Sequence, residues 1–65
     1  MGLTYIVRYS LHSRFPLKHA VKQDGKTFCG KDASKWTDTS DIEGVGDSCV
    51  ICYHIILTKE AKYIG

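Results

Sequence analysis

Cys49-Val50-Ile51-Cys52 is the stretch on which the fold turns, because only there do two of the three cysteines stand three positions apart. Residues with that spacing converge on one point, on a backbone knuckle or in the first turn of a helix, as two sulfur ligands of a single ion must. A helix N-terminus also favours thiolates through its free N–H groups and its dipole. Working outward, the third cysteine lies twenty residues upstream in Thr27-Phe28-Cys29-Gly30, and His19 lies ten residues before it. Three thiolates and one imidazole complete a tetrahedral shell for Zn²⁺. The ligand set read from the sequence is therefore His19, Cys29, Cys49 and Cys52, with a structural zinc as cofactor. His12, at a strand end, and His54, two residues after Cys52, are the alternative fourth ligands.

Length supports a need for metal. A chain of 65 residues has room for one domain, residues 1–65, and buries only about 60% of its unfolded surface. Domains of this size usually add disulfides, a metal or a partner. Three cysteines leave one unpaired in any single-disulfide scheme, which argues against a secreted disulfide framework. Arg8 interrupts the first hydrophobic segment, and Val50 to Leu57 is too short to span a bilayer. The expected setting is reducing and cytoplasmic, without a membrane.

The expected fold is α+β: an N-terminal strand and a β-hairpin packed on a C-terminal helix, treble-clef- or zinc-ribbon-like. Thr4 to Leu11 reads as a strand with Tyr5, Val7, Tyr9 and Leu11 on one face. Pro16 then holds Phe15 extended. Lys18 to Cys29 reads as a hairpin about Asp24-Gly25. A two-residue turn would point His19 away from Cys29, because neighbours on a strand face opposite ways. A three-residue loop, Gln23-Asp24-Gly25, sets Lys22 against Lys26 and His19 against Cys29, with Gly25 in the left-handed region. The three-residue loop is expected. Gly30 suits a metal knuckle, where a side chain would crowd the N–H groups turned toward sulfur.

Lys31 to Asp47 carries turn chemistry at 37–41 and 44–47, with a short helical turn near Ala33–Trp36. Cys49 to Tyr63 is read as a helix capped by Asp47 or Ser48 and stopped near Gly65. The run from Val50 to Leu57 also has strand composition, and a strand there would make the domain a ribbon.

No catalytic constellation stands out. Catalytic zinc keeps an open position for water, whereas four candidate ligands close the shell. A deaminase would need a glutamate two residues after the histidine, and Val21 stands there. The chain is read as non-enzymatic. Charge is uneven: residues 1–35 hold seven basic against two acidic groups, net +5, and residues 36–65 hold two against five, net −3. Opposed charge of this kind suits electrostatic docking on another protein. A basic first half also permits nucleic-acid binding through Arg8, Arg14, Lys18 and Lys22, with Tyr5, Tyr9 and Phe15 to stack bases. The favoured reading of Tyr5, Val7 and Tyr9 is nonetheless the core face of a strand, with the lysines a solvated surface.

The order His19, then Thr27-Phe28-Cys29-Gly30, then Cys49-Val50-Ile51-Cys52 resembles small zinc-finger-like proteins of bacteria and their phages, over about residues 19–57. That resemblance implies zinc on the same four residues and implies no activity. With the charge pattern, it makes a phage-type effector that binds a host protein in the host cytoplasm the expected role. Apolar Val50 and Ile51 depart from the basic or polar residues such proteins often carry inside the CxxC.

Overall fold

Strand β1 (Thr4–Tyr9) is the axis of the sheet in the computed structural model, which describes residues 3–65. Its period-two pattern survives folding: Tyr5 and Val7 are 5% and 1% exposed, while Thr4 between solvent and sheet is exposed. Strand β2 (His19–Val21) lies antiparallel along one edge, with Ile6 opposite Val21, Val7 opposite Ala20 and Arg8 opposite His19. The other edge is shared. Strand β3 (Thr37–Asp38) pairs antiparallel with Tyr9 and Arg8, and strand β4 (Lys62–Tyr63) pairs parallel with Thr4 and Tyr5.

β1 stops two residues short of the expected Leu11, which is 69% exposed. The register explains this. Tyr9 is the last residue with a partner on β3 and Arg8 the last with one on β2, so nothing remains to continue the ladder. The chain turns instead, the N–H of Ser13 bonding to the carbonyl of Ser10.

The three-residue loop at 23–25 is present. The Lys22 N–H bonds the Lys26 carbonyl at 2.8 Å, Val21 bridges Thr27, and Gly25 has φ 85°. The second limb of the expected hairpin is not a strand, however. After Thr27 the chain folds into a turn closed by the Gly30 N–H on the Thr27 carbonyl. The main partner of β2 is β1, whose longer apolar strand buries more than the polar 26–30 limb can.

Helix α1 (Val50–Lys59) follows the CxxC, so the ribbon alternative falls and the treble-clef-like one stands. Two of its expected boundaries shift. Cys49 itself is the N-cap, with no side-chain cap bond, because Asp47 turns its carboxylate back to the N–H groups of Glu43 and Gly44. At the other end Glu60 adopts a left-handed conformation (φ 52°) and closes the helix on the Ile56 carbonyl. Stopping there frees Lys62 and Tyr63 to pair with β1 and sets Tyr63 against Tyr5 at 5.8 Å. A continued helix would forfeit both. Ala33 to Trp36 forms one turn, with the Trp36 N–H on the Ala33 carbonyl. The α+β class holds, and no helix among the described residues is long and apolar enough to cross a membrane.

The core is a small cluster of Tyr5, Val7, Ala20 and Cys52, with Phe28, Ile42, Ile56, Ala61 and Tyr63 packed around it. Cys52 is fully buried and belongs to this cluster. The cysteine pair and the hydrophobic core are therefore continuous.

Candidate metal centre

Three elements deliver the four donors. His19 opens β2, Cys29 sits in the turn after Thr27, Cys49 caps α1 and Cys52 lies in its first turn. The donor atoms of all four lie within 4.8 Å of one another. His19 Nδ1 is 3.6 Å from Cys29 Sγ and 3.6 Å from Cys52 Sγ. A tetrahedral ion with metal–sulfur bonds of about 2.3 Å and metal–nitrogen bonds of about 2.0–2.1 Å has S···N edges of about 3.6 Å. The cluster thus has the dimensions of a coordination shell, and these four residues are placed to hold a metal ion. His12 and His54 are both exposed and outside it.

Backbone bonds fix the two halves of the shell against each other. The Lys18 N–H donates to the Asp47 carbonyl and the Cys49 N–H to the Lys18 carbonyl, both at 2.9 Å. His19 and Cys49 each follow directly on this short parallel bridge. The Lys18 ammonium reinforces it, 3.4 Å from Asp47 Oδ2 and 3.0 Å from the Asp41 carbonyl.

Thr27, fully buried, supports Cys29. Its Oγ1 accepts the Lys31 N–H at 2.8 Å and lies 3.1 Å from Cys29 Sγ. With the Lys31 N–H filling an acceptor position, the hydroxyl proton is free to point at sulfur. Gly30 has φ 98°, and a Cβ added there would meet nothing within 4 Å. The expected crowding is absent. Glycine is suited to this knuckle because of its backbone conformation, which L residues adopt at a cost of roughly 1–2 kcal/mol.

Electrostatics point the same way. Burial, and then the nearby Lys31 charge, lower the pKa of His19, so the imidazole is neutral and able to ligate. Burial pushes the Cys52 thiol up. Burial also works to raise Cys29, but hydrogen bonds from Thr27, the other two cysteines and the Lys31 N–H outweigh it and bring it down. A divalent ion bound here would offset the negative charge of thiolates gathered this closely.

The four residues expected to contact nucleic acid are spread over other tasks. Arg8 donates to Asp38 Oδ1 at 2.7 Å and to the Ala33 carbonyl at 3.1 Å. Lys18 is the latch just described, and Lys22 lies 3.9 Å from Asp24. Arg14 alone of the four makes no ion pair among the described residues. Two residues of the site escaped sequence reasoning. Thr27 was visible only as a threonine two positions before a cysteine. Trp36, whose ring lies 5.1 Å from that of His19 at 60°, gave no signal beyond being the single tryptophan.

Comparison of the chain with protein-family models, curated proteins and solved structures finds no match. The class of protein is defined by fold and site alone: a small α+β domain with a Cys₃His cluster of coordination dimensions.

Proposed function

We propose that His19, Cys29, Cys49 and Cys52 hold a structural Zn²⁺ and that the domain is a non-enzymatic protein-interaction module. The observation that carries the metal reading is the pair of 3.6 Å separations from His19 Nδ1 to two sulfurs. Three soft thiolates and an imidazole in tetrahedral array select zinc among abundant divalent ions. Four protein donors leave no position for a reacting water, which makes the role structural. Binding in such sites is worth about 10–16 kcal/mol, against a net stability of about 5–15 kcal/mol for a whole domain. Metal binding and folding are thus one event.

The protein-interaction reading rests on the outer face of α1. Val50, Ile51 and Leu57 are all exposed, in a domain whose own core is short of apolar side chains. Exposed apolar groups gathered on one helix mark docking surfaces. We take the partner to be a host protein and the chain to be a phage-type effector acting in the host cytoplasm, in keeping with the resemblance noted above.

Native mass spectrometry with and without chelator, alongside circular dichroism, tests the metal. One zinc lost together with the fold is the expected result, and a chain that stays folded without metal overturns the reading. Capture from lysate by the wild-type chain but not by Val50→Ser/Ile51→Ser tests the docking face.

A further inference from the structure

Two hollows of about 300 and 340 Å³ share Trp36 as a common wall. Each is at the lower end of the roughly 300–1,000 Å³ range of small-ligand sites. The first is lined by Phe15, Leu17 and Lys31 beside His19, and the second by His12, Asp32 and Lys35. Phe15 is 77% exposed, the most exposed of the large hydrophobic side chains among the described residues. Its backbone is held, since Pro16 follows it and the Ser13 hydroxyl donates to its carbonyl at 3.2 Å. Trp36 is half-buried and held from behind by the His19 ring. An aromatic surface is thus presented outward on a rigid base that the core does not use.

The surrounding charges are unbalanced. Lys31 lines one hollow, Lys35 lines the other, and Arg14 sits between Ser13 and Phe15, which line the first. All three are exposed, and none makes an ion pair among the described residues. The one acidic group there, Asp32, already accepts the Ser34 N–H at 3.0 Å.

We propose that these paired hollows bind single-stranded nucleic acid, with bases stacking on Phe15 and Trp36 and phosphates held by Arg14, Lys31 and Lys35. Two adjoining hollows that share Trp36, one with Phe15 and Lys31 and the other with Lys35, offer aromatic faces beside cations, as a strand of bases and phosphates requires. An acidic peptide with one apolar anchor would instead want a single enclosed apolar pocket. Duplex fits poorly, because its bases are already stacked on one another. The first hollow reaches Cys49 at the start of α1, but neither hollow is lined by Val50, Ile51 or Leu57, and the proposal does not depend on the protein-docking reading.

Trp36 is the only tryptophan, so its fluorescence reports on the hollows directly. The zinc-loaded full chain is titrated with a short oligothymidylate over a range of salt. Expected are quenching of Trp36 and a slope of log K against log[salt] near about −2, the value for three phosphate contacts on a single strand. Phe15→Ala should weaken binding by roughly ten-fold or more, and Lys31→Gln/Lys35→Gln should bring the slope to about −0.7. Should Phe15→Ala fail to fold, the lysine pair carries the decision. Three outcomes overturn the proposal: no quenching at low salt, a matched duplex or a polyglutamate peptide binding as tightly as the single strand, or a salt slope unmoved by the lysine changes.

Discussion

His19 Nδ1 lies 3.6 Å from Cys52 Sγ although the two residues are 33 positions apart. One is the first residue of an edge strand and the other is in the first turn of the helix that packs on it. The contact joins the sheet to the helix at Cys52, which is itself part of the buried core. The domain's stability therefore follows the state of that junction.

Removing the imidazole should separate the fourth ligand from its alternatives. Tetrahedral Co²⁺ in place of zinc gives strong visible bands that depend on all four donors. His19→Ala is expected to weaken metal binding and alter those bands, while His12→Ala and His54→Ala, both at exposed positions, leave them unchanged. Unchanged bands in His19→Ala would remove the histidine from the shell.

Thr27 is placed to support Cys29 and would act on a bound metal through it. Thr27→Val keeps the shape but loses the hydroxyl that faces sulfur and accepts the Lys31 N–H. Supporting hydrogen bonds of this kind are worth about 10- to 100-fold in metal affinity. Competition with a calibrated chelator should show a loss of that size, and Thr27→Ser should recover most of it. Equal affinities for the valine and serine variants would make Thr27 a packing residue only.

Two backbone positions should respond in opposite directions. Gly30 has φ 98° with open space where a side chain would go, so Gly30→Ala is destabilising by strain alone, about 1–2 kcal/mol. Glu60 holds φ 52° at the end of α1, the position where glycine is favoured. Glu60→Gly is expected to gain about 1 kcal/mol, or about 4–8 °C in thermal midpoint for a domain of this size. Calorimetry of the zinc-loaded proteins reads both, and a loss in Glu60→Gly contradicts the strain assignment.

Alkaline stability should depend on Tyr5. Burial, then its hydrogen bond to Asp41 Oδ1 at 2.9 Å, raise its pKa to about 12 from an ordinary 10.0. The folded state holds this proton more tightly than the unfolded chain does. The contribution is complete below pH 10 and is lost as pH rises toward 12. Tyr5→Phe should cost about 1 kcal/mol at neutral pH and flatten the decline between those values. Denaturant melts across that window, compared between the two proteins, measure the difference.

Much of the site was legible because it depends on short spacings. Cys49 and Cys52 converge through local geometry, whether knuckle or helix turn follows. The loop at 23–25 and its glycine reverse the chain so that the turn after Thr27 brings Cys29 Sγ to 3.6 Å from His19 Nδ1. Less could be read where a partner comes from far along the chain. Thr37 and Asp38 have turn composition yet form β3, because Tyr9 and Arg8 present unpaired backbone to them. Lys62 and Tyr63 have helical neighbours yet form β4, because pairing with Thr4 and Tyr5 and packing against Tyr5 outweigh two more residues of helix.

The amino-acid order by itself pointed to three cysteines and a histidine as donors and to the strand that forms the core face, while the choice of His19 over His12 and His54, and of helix over strand after Cys49, came from the tertiary structure. The first two rest on interactions between residues close in sequence or on a period that a strand repeats. Tertiary structure alone decided which hydroxyl supports Cys29, where the helix stops, and which cations stay free. Arg8 and Lys18 look like free basic groups in the sequence, but Asp38 and Asp47 reach them through sheet pairing and the bridge at Lys18. The charge left outward at Arg14, Lys31 and Lys35 is part of what those long-range pairings do not use.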